Sequence, residues 1–133
     1  MSGNFLSPPQ PAGDRFAERR SVPRYSMVAE VEVFDPIQQT RFTARTVEIG
    51  ANGCYVRVDT PLQRNTVIQV QIKRDGGTFK SWGRVAHAQE GSGMGIAFFR
   101  PEPNHEKTLR GWIVDLETEE KRRVTDQVPV QKI

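Results

Sequence analysis

The segment from Thr66 to Lys73 alternates between apolar and polar residues. Ile68, Val70 and Ile72 fall on one face of an extended chain, because successive side chains of a strand point to opposite sides. Asp75-Gly76-Gly77 follows directly, and an Asp-Gly pair after an alternating run is a typical signal of a tight β-hairpin turn. The pattern therefore predicts a fold built on antiparallel strands.

Five further runs of strand character accompany this one. They are centred on Val31 and Val33, and lie at 39–49, 54–58, 78–89 and 94–99. Turns such as Gly50-Ala51-Asn52-Gly53 separate them, and glycine and asparagine tolerate a positive φ. Short strands at intervals of about ten residues indicate an antiparallel barrel or sandwich. Closing six strands into a barrel removes the exposed edges of so small a sheet.

The periodicity changes near the C-terminus. Asn104 is predicted to cap a helix whose apolar stripe is Leu109, Trp112, Ile113 and Leu116, at i, i+3, i+4 and i+7. We expect this stripe to pack on the barrel; the alternative is a partner surface through Trp112. The helix is predicted to end near 121–123.

The chain of 133 residues accommodates one domain. We predict a tail at 1–17, the domain at 18–123 and a second tail at 124–133. No apolar run approaches the roughly 20 residues of a membrane span, and the start Met1-Ser2-Gly3-Asn4 does not resemble a signal peptide. We therefore expect a cytoplasmic protein with no membrane span.

Metal chemistry and catalysis find little support in the composition. Cys54 is the one cysteine, and His87 and His105 are the two histidines, so a zinc site is not expected. No arrangement of nucleophile, base and acid stands out, and we predict no enzyme activity and no cofactor. Cys54 is interpreted as a small core residue, and His87 as a surface or sheet residue rather than a ligand contact.

The net charge of +3 suits an anionic partner without specifying one. Barrels that bind single-stranded nucleic acid interleave aromatic and basic residues on one sheet face. Here Phe42, Trp82 and Phe98 are expected in or beside the core, so no nucleic-acid partner is predicted.

Arginines are concentrated in the segment from Glu18 to Tyr25, called the arginine segment below. Arg19, Arg20 and Arg24 stay charged and cannot be buried together without partners. Pro23 disfavours a helix interior here. Two interpretations are open on these residues alone: a solvated charge run at a domain edge, or guanidinium groups that bind phosphate or stack on a purine.

The order of motifs along the chain resembles the PilZ domain, the bacterial receptor module for cyclic di-GMP. The family pattern is Arg-Arg-x-x-x-Arg before the first strand and Asp/Asn-x-Ser-x-x-Gly between the second and third. This chain has Arg19-Arg20-x-x-x-Arg24, then Glu48-Ile49-Gly50-Ala51-Asn52-Gly53, and the late strand Gly93-Met94-Gly95-Ile96-Ala97-Phe98-Phe99.

The resemblance implies an all-β fold with a C-terminal helix, a six-stranded antiparallel Greek-key β-barrel. It also implies that cyclic di-GMP lies between the arginine segment and the glycine turn. The implied ligand-binding residues are Arg19, Arg20, Arg24, Glu48, Gly50, Asn52 and Gly53. Arginine donates two hydrogen bonds to guanine O6 and N7 or stacks on the ring, and Gly53 leaves room for the backbone beside the ligand.

The chain departs from the family pattern at two positions. Glu48 replaces Asp/Asn and carries its carboxylate roughly 1.5 Å farther out, about one carbon–carbon bond. Gly50 replaces Ser and lacks a hydroxyl, a loss of about 0.5–1.5 kcal/mol per missing hydrogen bond. Asn52 either supplies a compensating amide or stabilises the turn.

Two functions follow. The first is a cyclic di-GMP receptor that orders its arginine segment and changes a surface for a downstream protein partner. The second is a PilZ-type adaptor that works through protein contacts and no longer binds the nucleotide.

Overall fold

The structure, a computed structural model, describes residues 22–127. Its elements are β1 (Arg24–Ser26), β2 (Glu30–Asp35), β3 (Thr40–Gly50), β4 (Gly53–Arg57), β5 (Val67–Arg74), β6 (Gly77–Gln89), β7 (Gly93–Pro101) and α1 (Pro103–Gln127).

Six of the strands close into an antiparallel barrel. The order around the ring is β3-β2-β5-β6-β7-β4, and β4 pairs with β3 to complete it. The connection from β4 to β5 crosses over, so β5 pairs with β2 rather than with β4. The predicted six-stranded barrel with a C-terminal helix is confirmed. One strand was missed: β1 is a three-residue addition that pairs with β3.

The hairpin between β5 and β6 confirms the prediction from the alternating run. Ile68, Val70 and Ile72 are all buried, and Arg74 pairs with Gly77 across a two-residue loop. Asp75 and Gly76 have φ values of 51° and 79°. Positive φ at both central residues is the type I′ geometry, whose twist matches that of the strands it joins.

The core fills the barrel and continues under the helix. Its largest fully buried side chain is Phe79, whose ring lies 4.9 Å from that of Phe98. Phe42 and Phe98 are partly buried and pack against this core, as predicted. Trp82 differs from the prediction because its neighbours Ser81 and Gly83 face the interior, so its half-buried indole lies on the outer surface.

Helix α1 packs its apolar stripe against the barrel, where Leu109, Trp112 and Leu116 are each 6% exposed. The predicted cap at Asn104 is wrong, since the helix begins at Pro103 and the carbonyl of Glu102 accepts the amide of Glu106 at 3.2 Å. Proline is favoured at a first helical position, where its missing N–H costs nothing.

The helix also extends beyond the expected end at 121–123, to Gln127. Within residues 22–127, no helix combines the length and apolar character needed to cross a bilayer.

Candidate functional site

Strand β1 places Arg24 at the mouth of the turn that follows β3. Arg24 pairs with Gly50, and Ser26 pairs with Glu48. A Cβ on Gly50 would lie 2.7 Å from the carbonyl oxygen of Pro23 and 3.6 Å from Cγ of Arg24. Because that space is filled, the absence of a side chain at Gly50 is what lets the chain around Pro23 and Arg24 lie against β3.

The guanidinium of Arg24 turns toward Glu48. Arg24 Nη1 lies 3.9 Å from Glu48 Oε1, with the two side chains 37% and 49% exposed. A half-exposed pair at this separation is weak, because water screens the charges. The guanidinium of Arg24 thus lies beside the turn and is only weakly paired with Glu48.

Beneath this pair, Cys54 is completely buried between β3 and β7. Burial raises the pKa of its thiol to about 12, and the charge of Arg24 opposes that rise only in part. Its interpretation as a small core residue is supported by this environment, because a thiol held neutral is neither a nucleophile nor a metal ligand.

The turn at 50–53 is bound to β7 rather than projecting from the barrel. The carbonyl of Asn52 accepts the amide of Phe98 at 2.8 Å. Gly50 and Gly53 have no positive φ, so the expected reason for glycine here is wrong. At Gly53 the reason is crowding: a Cβ would lie inside van der Waals contact of the carbonyl oxygen of Ile96.

A cleft of about 200 Å³, called the β1 cleft below, opens beside this turn. Its lining joins β1, the turn and strands β4, β6 and β7: Arg24, Asn52, Tyr55, Ala86, His87, Gly95, Ile96 and Ala97. Tyr55 and Ser92 share a hydrogen bond of 3.1 Å between their hydroxyl groups. A Cβ on Gly95 would lie 3.6 Å from that of His87 and 3.8 Å from Cδ1 of Tyr55, so Gly95 keeps a gap between the two rings.

On the other side of β1, a groove of about 610 Å³ separates the strand from the C-terminal half of α1. Desolvation, and then the carboxylates of Glu117 and Glu120, raise the pKa of Tyr25 in this groove. Arg24 lines both the groove and the β1 cleft, so β1 sits between the helix and the cleft.

The structure brings together four of the seven predicted site residues: Arg24, Glu48, Asn52 and the buried Gly50. Gly53 lies nearby and contacts β7 through its backbone. Arg19 and Arg20 lie outside the described residues.

Two aromatic residues that line the β1 cleft were not among the predicted ligand-binding residues. Tyr55 was not considered, although its neighbours Cys54 and Val56 are core residues and alternation therefore puts Tyr55 on the outer face. His87 was interpreted as a surface or sheet residue; it is indeed exposed on β6, and it also lines the cleft. What no sequence pattern indicated was that β4, β6 and β7 present these rings to the same space as Arg24.

The fold is thus a closed antiparallel barrel with an arginine-bearing strand beside an open cleft. The PilZ domain family model matches residues 18–115, and the chain belongs to that family. PilZ domains are regulatory binding and adaptor modules, and typically receptors for cyclic di-GMP.

Solved structures show the same fold at low sequence identity. The PilZ domain of CeSA from a cellulose-synthesising bacterium is 22% identical, with a TM-score of 0.58 over 71% of this chain and 98% of that one. The PilZ domain of YcgR from Escherichia coli, solved with cyclic di-GMP, is 19% identical, with a TM-score of 0.58 over 83% and 99%.

The inhibitor of motility MotI/DgrA of Bacillus subtilis is 14% identical, with a TM-score of 0.59 over 83% of this chain and 54% of that protein. A comparison with curated protein sequences found no match.

Proposed function

We propose that this chain is a cytoplasmic cyclic di-GMP receptor that passes the signal to a protein partner through its arginine segment. The observation that carries the proposal is the β1 cleft, where a loosely held arginine, an amide and two aromatic rings meet in a PilZ fold.

The chemistry of the β1 cleft suits a guanine nucleotide. Arg24 offers guanidinium donors to phosphate or to guanine O6 and N7, and the amide of Asn52 can both donate and accept. Tyr55 and His87 provide ring faces for stacking. The cleft of about 200 Å³ is smaller than a typical ligand site of roughly 300–1,000 Å³, so it takes part of the dinucleotide.

Arg19 and Arg20 supply the rest of the site in this proposal. They precede Arg24 by only a few residues, and Arg24 enters β1 beside the cleft. Closure of the arginine segment over the two phosphates changes the surface that β1 and α1 share, and that changed surface is what a partner protein reads. Ligand binding coupled to ordering of a segment is a common switching device.

Calorimetric titration of the full chain with cyclic di-GMP tests the proposal. We expect saturable binding, and Arg24→Ala should weaken it at least about tenfold, because charge-assisted hydrogen bonds to the ligand are lost. Arg64→Ala is the matched control, since Arg64 is exposed in the loop before β5 and lines neither the β1 cleft nor the groove beside β1. Backbone amide shifts should concentrate at Arg24, Asn52 and His87.

Absence of binding heat from folded protein at high micromolar ligand would overturn the receptor proposal. Equal loss in the Arg24 and Arg64 variants would likewise show that the β1 cleft is not the site.

The second candidate is an adaptor that no longer binds the nucleotide, and two observations favour it. The carboxylate of Glu48 is paired with Arg24, and the place of the family's serine hydroxyl is closed by the carbonyl of Pro23. A ligand would therefore have to break the ion pair between Arg24 and Glu48, and it would bind without the hydrogen bond that the family's serine hydroxyl offers.

If the wild-type chain shows no binding, the double change Glu48→Asp with Gly50→Ser decides whether the adaptor interpretation holds. Appearance of binding would show that these two departures removed the ligand. Gly50→Ser also pushes on Pro23, so Glu48→Asp alone is the control that leaves β1 in place. A folded double variant that still gives no heat would count against loss through this motif.

A further inference from the structure

A second concave surface lies on the outside of the barrel, across β2, β5 and β6 and the end of β7. Its volume is about 320 Å³. We call it the outer-face groove and define it by Phe34, Gln69, Gln71, Lys80, Trp82 and Arg100. It shares no lining residue with the β1 cleft, and the function proposed above does not use it.

Strand register arranges these side chains in two rows. Phe34 pairs with Gln69, and Gln69 pairs with Trp82, so an amide separates two aromatic rings on one face. In the adjacent row Gln71 pairs with Lys80. The groove thus has a half-exposed indole flanked by two carboxamides and an ammonium group.

Arg100 enters the groove through an irregularity of the sheet. Ser81 pairs with Pro101 and Trp82 with Phe99, which leaves Arg100 as the extra residue of a β-bulge. Its φ is 52°, in the left-handed region that residues other than glycine adopt rarely. Bulges re-aim side chains, and unfavourable backbone conformations of this kind concentrate at ligand sites.

The charges around the groove are unevenly compensated. Glu32, Arg41 and Glu102 also line the groove. Glu32 Oε2 lies 3.5 Å from Arg41 Nη1. Glu102 Oε1 lies 4.0 Å from Nε2 of His105, whose Nδ1 accepts the amide of Lys80 and so carries no proton, and Glu102 therefore has no cationic partner there. Arg41 in turn lies 4.5 Å from the centre of the Phe34 ring. Within residues 22–127, neither Lys80 nor Arg100 has an ion-pair partner, and both are exposed. Lys80 and Arg100 therefore line the groove together with the half-buried indole of Trp82, and they outnumber the one carboxylate, Glu102, that lacks a cationic partner.

We propose that the outer-face groove binds a nucleotide unit, with its base stacked on Trp82 and its phosphate between Lys80 and Arg100. Indole faces accept any base by stacking, and cations beside the stacking platform take the backbone phosphate. The amides of Gln69 and Gln71 each offer donors and acceptors to a base edge. An acidic peptide would use the two cations but would leave the indole without a flat partner.

The same chemistry is presented by a free nucleotide and by one position of a single-stranded nucleic acid. The test therefore uses both GMP and a short oligothymidine, with an oligoglutamate peptide as the acidic comparison. Trp82 is its own reporter, because the chain has two tryptophans and the other, Trp112, is 6% exposed on the buried face of α1. A stacked base quenches indole fluorescence.

If the natural ligand is a free nucleotide, we expect saturable quenching by GMP. If it is a nucleic acid, we expect quenching by the oligonucleotide alone, and this binding should weaken markedly as the salt concentration rises. The signal should disappear in Trp82→Phe. Arg100→Asn should weaken binding about tenfold or more, since asparagine tolerates the left-handed backbone but carries no charge. Arg100→Lys should restore most of it, and Arg24→Ala should leave it unchanged.

Three outcomes overturn the proposal. The first is that neither nucleotide probe quenches the fluorescence of the folded protein. The second is that only the oligoglutamate peptide quenches it, which would make the groove a surface for acidic peptides. The third is that quenching survives Arg100→Asn and is lost in Arg24→Ala, which would assign the binding to the β1 cleft. Each result is independent of the calorimetry with cyclic di-GMP, because the variants separate the two sites.

Discussion

Two glycines of the motif turn are required by crowding between strands. A side chain at position 50 would collide with the carbonyl oxygen of Pro23, and one at position 53 would collide with that of Ile96. Both contacts join segments far apart in the chain, which is why a local reading of the turn assigned the glycines to positive φ. The ligand role proposed for these positions thus rests on a backbone that already needs glycine for packing.

Replacing Gly53 by alanine should destabilise the domain by roughly 1–3 kcal/mol, because the added Cβ overlaps a backbone oxygen that cannot rotate away. Gly95→Ala is the matched control on the neighbouring strand, since its Cβ would meet atoms only at 3.6 and 3.8 Å. Urea unfolding measures both. Equal midpoints for the two variants would contradict the crowding argument.

Cys54 makes the stability of the domain depend on pH in the alkaline range. Its pKa is about 12 when folded, above the ordinary thiol value of 9.0. The folded state therefore keeps the proton while the unfolded chain loses it, so this contribution is complete below pH 9 and is lost between pH 9 and 12.

We expect Cys54→Ala to lower stability near neutral pH yet to flatten this alkaline decline, as measured by urea unfolding at several pH values. In the wild type, a thiol reagent should react only as fast as the chain unfolds. Rapid labelling of folded protein at pH 8 would show that the thiol is accessible and the burial argument wrong.

At the scale of elements, Thr46 joins the chain between β1 and β2 to β3. Its buried hydroxyl donates to the carbonyl of Met27 at 2.6 Å and accepts the amide of Ala29 at 2.9 Å. The register of β3 against β4 shifts just after it, between Thr46 and Glu48. One side chain thus satisfies the backbone of the bend that delivers β1, and with it Arg24, to the cleft.

Thr46→Val keeps the shape of the side chain and removes both hydrogen bonds, so it should cost about 1–3 kcal/mol by leaving a buried amide and carbonyl unpaired. It should also speed hydrogen exchange at Ala29. Thr43→Val, on an exposed position of the same strand, should change stability by less than about 0.5 kcal/mol. A Thr46 variant as stable as the Thr43 control would remove this role.

Helix α1 shows why the basic run at 121–123 does not mark the end of a helix. No glycine or proline occurs between Gly111 and Pro129, and Lys121 lies 3.8 Å from Glu117 one turn earlier. Glutamate, lysine and arginine are good helix formers, and pairs at i and i+4 add to them. The helix therefore continues past its buried stripe into the exposed segment that forms one wall of the groove beside β1.

For the whole molecule, closure of the barrel separates two outward surfaces with different chemistry. One carries the β1 cleft with Arg24, and the other carries Trp82 beside Lys80 and Arg100. Both are made of residues from several strands, while the shared interior holds only the core. A module of this size can therefore present two binding surfaces without compromising its packing.

The strand and helix pattern was readable from the chain because it depends on neighbouring residues. Alternation from Val67 to Arg74, the Asp75-Gly76 turn and the stripe through Leu109 and Trp112 each follow from local geometry. The motif order, read as a resemblance, likewise predicted that Arg24 lies near the turn at 50–53, and Arg24 does pair with Gly50.

What the tertiary structure decided was which distant residues share a surface. Tyr55 and His87 join Arg24 only because β4, β6 and β7 meet there, and Arg100 reaches Trp82 only because β7 has a bulge. Pairing register and bulges are set by packing between strands far apart in sequence, so a single strand carries no record of them.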